Sequence, residues 1–360
     1  MNRLDVTLRE AEGSCGGSII LNSRLESSTL SSGINTLDRR TFVQVAGAAC
    51  ISNAIRPTFA QSTANATASC ASPFRLGVVV WIAAGESTDA AIHGVRELGF
   101  STCQIGFERL TASVAAPLKS ALAKYGIEAT AFSEHGPGAR VFDFYRGPET
   151  IGVVPSDTRE ARINNLRLAA DLAAECGIPA IHTHCGFIPE NPNDPLYAES
   201  VAAVGKIASH AKERGVSFLC ETGEETPITL LRMIQDVGMD NVFVNLDVAN
   251  LILYGKGNPV DAMEVLGHLV RGVHAKDGLF PTDPKNLGKE VSIGEGKVDF
   301  PAVFERLLQV KYQGPITIER ETRGAEQRAD ILRSKVYLEN LIKKPAAESC
   351  EPCKGKGTQR

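Results

Sequence analysis

Apolar runs rich in valine, isoleucine and phenylalanine alternate with amphipathic stretches along the chain from residue 73 onward. Several runs are almost continuously apolar, as expected for parallel strands that are covered on both faces. The amphipathic stretches repeat apolar residues at helical spacing, and most end at a glycine, where a helix would stop. These glycines are Gly99, Gly126, Gly177, Gly215 and Gly238. The pattern predicts strands at residues 75–83, 101–107, 127–133, 178–187, 216–221, 241–249, 270–277 and 315–321.

Eight successive β–α units within roughly 250 residues are typical of a (β/α)8 barrel. We therefore predict an α/β protein with a single TIM-barrel catalytic domain over residues 73–342. An open doubly wound sheet fits less well, because no glycine-rich dinucleotide-binding motif follows the first strand. Residues 134–157 carry few helix signals, so we predict a long loop that covers the site or contacts the substrate.

The segments outside the predicted barrel differ from it in composition. Residues 1–60 form an N-terminal extension in which Arg39 and Arg40 precede small and apolar residues, a pattern that resembles a twin-arginine export signal. Residues 61–72 are a linker rich in serine, threonine and alanine, and residues 343–360 form a polar tail. The apolar stretch is too short for a permanent membrane span. We expect a periplasmic or otherwise exported protein, and a cytoplasmic one if the signal is not functional.

The net charge indicates which kind of substrate to expect, and the positions of the cysteines indicate whether they bind a metal. The net charge of −4 gives no broad basic surface, so a small polar substrate is expected and a nucleic acid is not. A homo-oligomer is compatible with this composition. Four cysteines lie singly in apolar runs and are predicted to be small core residues: Cys103, Cys176, Cys185 and Cys220. Cys350 and Cys353 form a CxxC pair without a second pair, so a structural zinc site is not predicted there.

Ionisable residues stand at the ends of the last four predicted strands. These residues are Glu221, Asp247, His274 and Glu319, each flanked by apolar neighbours. In a (β/α)8 barrel the carboxyl ends of the strands meet at one mouth, where the chemistry is located. Three carboxylates in one mouth repel each other unless a cation neutralises them. The set therefore predicts one bound divalent metal ion, with Mn²⁺ expected first and Mg²⁺, Co²⁺ or Zn²⁺ also compatible with oxygen and imidazole ligands.

The barrel resembles the xylose isomerase-like superfamily of sugar isomerases and epimerases. The matching stretches are FLCETGEE, VFVNLDVANLILYG, VHAKDG, GEGKVDF and GPITIERE, in this order along the chain. The resemblance implies that Glu221, Asp247, His274 and Glu319 bind the metal and that the two glutamates also act as acid and base. It implies proton abstraction next to a carbonyl through a metal-bound enediolate.

Other residues near the predicted mouth are candidates for binding the carbohydrate substrate. We assign this role to His184 after the fourth strand, to Asn250 three residues after Asp247, and to Lys276 on the face of His274. His182 is equally compatible with core packing. Glu321 is the alternative to Glu319 as the metal ligand at the end of the last strand, and His135 is expected to be solvent-exposed.

Three alternatives to an isomerase or epimerase stay open at this point. A lyase or dehydratase acting on a keto-sugar or 3-keto-glycoside would use the same metal site and the same first proton abstraction. A DNA-repair enzyme like endonuclease IV is disfavoured, because that class needs further histidines and residues 277–294 contain none. A non-catalytic sugar-binding protein would show no dependence on metal.

Overall fold

The computed structural model describes residues 73–343. The strands are β1 (Arg75–Ile82), β2 (Thr102–Phe107), β3 (Glu128–Ser133), β4 (Ala180–His184), β5 (Ser217–Glu221), β6 (Val242–Asp247), β7 (Val270–Ala275), β8 (Asp277–Gly278), β9 (Glu290–Val291) and β10 (Pro315–Ile318). The predicted export signal, the linker and the tail with its CxxC pair lie outside the described residues. Among the described helices, none is long and apolar enough to cross a membrane.

Ten α-helices occur in the described residues. They are α1 (Thr88–Glu97), α2 (Ala115–Tyr125), α3 (Gly147–Thr150), α4 (Ser156–Cys176), α5 (Pro195–Glu213), α6 (Pro227–Val237), α7 (Asn250–Leu253), α8 (Pro259–Leu266), α9 (Phe300–Gln309) and α10 (Ala325–Lys343). Short polar side chains cap several N-termini, as when Asp194 accepts from the amide of Leu196 at the start of α5. The five predicted helix-ending glycines all have positive φ, the conformation that such a stop requires.

Eight parallel strands close into a barrel in the order β1–β10–β7–β6–β5–β4–β3–β2, and β8 pairs with β9 in a separate antiparallel hairpin. The predicted single-domain TIM barrel is therefore confirmed. Apolar side chains from the strands and from the helices around them form one large core, and Ala131, Ala180 and Leu219 form a second, small cluster. In the large core Cys103, Cys185 and Cys220 are buried, while Cys176 is half-buried, and all four are free thiols.

Several predicted strands were too long by a few residues. The fourth strand covers only residues 180–184, the last strand ends at Ile318, and the seventh ends at Ala275. Beyond these residues the chain leaves the barrel sheet, as where Asp277 and Gly278 pair with β9 instead. The predicted loop over residues 134–157 contains the four-residue helix α3, and α4 already begins at Ser156.

Candidate metal centre

Four side chains meet at the carboxyl ends of neighbouring strands. Glu221 and Asp247 are the last residues of β5 and β6, His274 is the fifth residue of β7, and Glu319 directly follows β10. One potential ligand atom from each of these side chains lies within 4.8 Å of the other three. The first three side chains are fully buried, and Glu319 is slightly exposed toward the mouth. The structure thus brings together the four residues that the sequence places at strand ends.

The imidazole of His274 faces the three carboxylates. Its Nδ1 lies 3.0 Å from Oε1 of Glu221, 3.5 Å from Oδ2 of Asp247 and 3.4 Å from Oε2 of Glu319. Nδ1, Oε1 of Glu221 and Oδ2 of Asp247 are buried atoms without a hydrogen-bond partner among the described residues. Buried polar atoms without a partner are costly. Their convergence on one point fits a cation that accepts an electron pair from each.

Gln104 on β2 fixes the orientation of His274. Nε2 of His274 lies 2.6 Å from Oε1 of Gln104, and Nε2 of Gln104 donates to Oδ1 of Asn245 at 3.3 Å. Because the amide nitrogen of Gln104 is used by Asn245, its oxygen accepts the Nε2–H of His274. The other ring nitrogen, Nδ1, is then free to bind a metal, as in other histidine ligands oriented by a second hydrogen bond.

Glu221 and Asp247 are held in the same way, by one oxygen each. Oε2 of Glu221 lies 3.0 Å from Nδ1 of His182, so this ring nitrogen donates to the carboxylate. Oδ1 of Asp247 accepts from the amides of Ala249 at 2.8 Å and Asn250 at 2.7 Å. In both cases the second oxygen points at the centre. The side chain of His182 therefore contacts a candidate ligand, and does not merely fill the core.

Lys276 supplies a positive charge beside Glu319. Its ammonium lies 3.1 Å from Oε2 of Glu319, 3.3 Å from Oδ1 of Asn250 and 3.2 Å from Oε2 of Glu321. The lysine is almost completely buried, whereas the side chain of Glu321 is 58% exposed. Glu321 thus lies on the solvent side of the ammonium and outside the group of four. Asn250 and Lys276 therefore lie beside Glu319 at the edge of the group of four.

His184 and Glu224 form a buried pair on the opposite side of the centre. Nδ1 of His184 lies 3.0 Å from Oε1 of Glu224, and its Nε2 lies 3.7 Å from Oε1 of Glu221. The carboxylate of Glu224 therefore holds the Nδ1–H and turns Nε2 toward the mouth. Sequence reasoning found His184 but missed Glu224, which lies in the turn after β5, where no periodic signal locates a side chain.

Burial and charge crowding shift the pKa values of the group. Burial raises the pKa of Asp247 to about 6, although the nearby Lys276 acts in the opposite direction. Burial alone would lower the pKa of His274, but the charges of Glu319 and Glu221 raise it well above its ordinary value. Without a cation at the centre, the site therefore retains a proton in its place. Three carboxylate oxygens and one imidazole nitrogen fit a divalent metal ion.

His135 and Asp277 lie outside the group of four. His135 is half-buried and its ring stacks on those of Trp81 and His184, so the expected solvent exposure was wrong. Asp277 points away from the centre, as strand alternation predicts. Its carboxylate accepts from four backbone amides, those of Gly278, Gly294, Gly296 and Val298, and thereby fixes the turn before α9.

The fold and this site together define a class of protein. The chain belongs to the xylose isomerase-like TIM barrel family, whose model matches residues 92–340. Its sequence is 26% identical over 208 residues to an L-ribulose 3-epimerase of Mesorhizobium japonicum. That match covers 56% of this chain and 59% of the relative, so the chain spans about three fifths of the relative's length. Relatives of this kind are sugar epimerases and isomerases.

Solved structures show the same architecture. A xylose isomerase domain protein from Planctomyces limnophilus is 31% identical, with a TM-score of 0.70 over 76% of this chain and 99% of its own. A xylose isomerase-like TIM barrel protein from Mycobacterium smegmatis in complex with magnesium has a TM-score of 0.58 at 18% identity, over 76% of this chain and 98% of its own. At that identity the second likeness shows the fold alone.

Proposed function

We propose that this protein is a divalent-metal-dependent sugar isomerase or epimerase that removes a proton next to a carbonyl. The observation that carries the proposal is the pair of glutamates at the centre. Glu221 and Glu319 both direct an oxygen toward Nδ1 of His274, at 3.0 and 3.4 Å. Because β7 and β6 lie between β10 and β5 in the barrel, the two carboxylates approach the centre from different sides. Sugar epimerases among the relatives support the same reaction class.

Four residues would bind the metal, and two of them would also transfer protons. Glu221, Asp247, His274 and Glu319 would hold the metal, which supplies Lewis acidity that acidifies a C–H next to a sugar carbonyl. One glutamate accepts that proton and the other returns a proton, to the opposite face for epimerisation or to the adjacent carbon for isomerisation. Lys276 keeps Glu319 ionised, because its ammonium lies 3.1 Å from that carboxylate.

The residues around the four ligands would orient the sugar. His184 presents Nε2 toward the mouth while Glu224 holds its other nitrogen, so this histidine can contact a substrate hydroxyl. Asn250 and Lys276 provide an amide and an ammonium on the other flank of the centre. Manganese is the first metal to test, with magnesium next, since magnesium is bound by the M. smegmatis neighbour. Cobalt and zinc fit the same mixed donor set.

The test combines metal removal with two carboxamide variants. We expect that a chelator abolishes turnover of unphosphorylated keto-sugars, that Mn²⁺ restores it, and that Glu221→Gln and Glu319→Gln each lower kcat at least about 100-fold, as for loss of an acid–base group. The matched control is Glu264→Gln, a surface glutamate paired with Arg306 on the outside of the barrel. Full turnover in both site variants would refute the acid–base assignment.

Product analysis separates reprotonation from elimination. In D₂O, an epimerase or isomerase incorporates one deuterium into a product that otherwise has the molecular formula of the substrate. A lyase instead releases water or an alcohol after the same proton abstraction. A product that has lost a leaving group would replace the isomerase proposal by the lyase alternative and leave the metal and the two glutamates in their roles.

A further inference from the structure

An aromatic side chain lies in the mouth at the end of β1. Trp81 pairs with Gly106 of β2 and points to the same side of the sheet as that glycine. A Cβ atom at position 106 would lie 2.5 Å from Cζ3 of the indole, so only glycine leaves room for the ring to rest across β2. The neighbouring inward position on β2 is Gln104, which reaches His274. Trp81 therefore lines the barrel mouth, yet 39% of it remains exposed.

Trp81 begins a row of three stacked rings that leads to the metal centre. Its indole stacks on the imidazole of His135 with a centroid distance of 5.1 Å, and His135 stacks on His184 at 5.6 Å. Phe142 contacts both imidazoles edge-on, at 6.3 and 6.1 Å, and is itself 43% exposed. The inner end of the row lies 3.7 Å from Glu221, at Nε2 of His184. We call Trp81, His135 and Phe142 the aromatic wall.

The segment that carries two members of the wall is held firmly in place. The guanidinium of Arg162, in α4, is almost completely buried and donates to the carbonyl oxygens of Pro137, Ala139, Thr150 and Gly152. Across the mouth, Asp143 forms a β-bridge with Asn286, and the amide of Phe144 donates to the carbonyl of Lys285. The wall is thus preorganised before any ligand arrives, which lowers the entropic cost of binding.

We propose that the aromatic wall is a second carbohydrate subsite, adjacent to the position of the reacting sugar. It would bind the ring or aglycone attached to that sugar, so the substrate class is a disaccharide or another glycoside and not a free monosaccharide. This inference rests on the proposed function only in placing the reacting sugar at the metal centre.

The chemistry of the wall matches this ligand. A pyranose ring has an apolar face of C–H groups, and partly exposed aromatic rings at a pocket mouth bury such faces favourably. His184, Lys276 and Asn250 lie next to the four candidate ligands, whereas Trp81 is separated from His184 by the ring of His135. Trp81 and Phe142, each exposed by about two fifths, leave apolar surface at the barrel mouth on which such a face can rest.

The sequence contains a single tryptophan, so intrinsic fluorescence reports on the wall directly. We would titrate the full-length protein, with and without Mn²⁺, with glucose and with cellobiose, maltose and trehalose. The expected result is a saturable change in Trp81 emission with at least one disaccharide, with a Kd roughly tenfold lower than that of glucose, as for one added aromatic contact region. An identical response to glucose and to all three disaccharides, or no response to any, would overturn the proposal.

Two variants and one control make the test specific. Phe142→Ala removes an edge of the wall, and Gly106→Ala pushes the indole aside without deleting it; each should weaken disaccharide binding about tenfold and leave glucose binding within about twofold. The control is Phe280→Ala, because this ring is also exposed, at 58%, and lies beside Gly255 on the β6 side of the mouth. It should leave both ligands unaffected.

Calorimetry and light scattering on the same variants complete the experiment. If the wall variants changed the oligomeric state and left disaccharide affinity unchanged, the wall would be a contact between subunits and the proposal would fail. If disaccharides bind at Trp81 but no sugar is epimerised or isomerised, the subsite stands and the proposed function falls. Turnover of free monosaccharides, together with a disaccharide affinity that the wall variants leave unchanged, would give the reverse result: the proposed function would stand and the subsite would fall.

Discussion

Replacing Gln104 by methionine removes the hydrogen bond that orients His274 while keeping a side chain of similar length. The bond spans 2.6 Å between two fully buried groups, so its loss leaves the Nε2–H of His274 without an acceptor. An unsatisfied buried donor costs about 1–3 kcal/mol. Removing a partner that orients a metal-binding histidine typically lowers affinity about 10–100-fold, or about 1.4–2.7 kcal/mol. We therefore expect Gln104→Met to weaken Mn²⁺ binding by that factor and to lower the free energy of unfolding.

The assay is calorimetric titration of chelator-treated protein with Mn²⁺, alongside urea unfolding of the metal-free form. Thr317→Val is a matched control, because Thr317 pairs in register with His274 and its buried hydroxyl has no hydrogen-bond partner among the described residues. It should leave metal affinity unchanged. If Gln104→Met folds normally and binds Mn²⁺ as tightly as the original protein, Gln104 does not select the ring nitrogen that faces the centre, and the reasoning is refuted.

Two predictions concern pH. Burial raises the pKa of Glu134 to about 7, above its ordinary value, so the folded state holds this proton more tightly than the unfolded state. The free energy of unfolding therefore falls as the pH rises from about 4.5 to about 7, by about 3 kcal/mol in total. Glu134→Gln should remove that loss, and an equal pH dependence of urea unfolding in both proteins would contradict this. Metal affinity should rise with pH, because the raised pKa of His274 makes a proton compete with the cation. Calorimetric titration with Mn²⁺ in two buffers of different ionisation enthalpy should show release of about one proton. A metal affinity that is constant between about pH 6 and 8 would contradict this competition.

The barrel and its four candidate ligands could be predicted for one physical reason. Charged residues at the ends of apolar strands are unusual, and the fold brings all such ends to one rim. Glu221, Asp247 and His274 therefore stood out from their neighbours. The strand ends themselves were less predictable, because the residues after Ile318 and Ala275 are charged, and the pattern does not show whether such residues end a strand or begin the loop after it.

The residues that sequence reasoning missed share a different property. Gln104 is a neutral amide inside an apolar strand, and its role depends on a partner 170 positions away. Trp81 ends an apolar run and resembles a core residue; only the register with Gly106 shows that it faces the mouth. His135 was expected in solvent, because the sequence does not show that Arg162, in α4, holds this loop in place. Contacts between distant segments carry this information, and local patterns do not.

Three of the four candidate ligands make hydrogen bonds of the same kind, and these affect the free energy of unfolding. His274, Glu221 and Asp247 each use one polar atom to contact the protein and leave the other unpartnered at the same point. In the metal-free protein only the proton that His274 retains offsets the repulsion between the buried carboxylates that face each other there. A cation that removes this repulsion binds only the folded state, so metal binding and folding are coupled through the same three atoms. We therefore expect Mn²⁺ to raise the free energy of unfolding, an effect that a purely structural cluster of buried acids and histidines would not show.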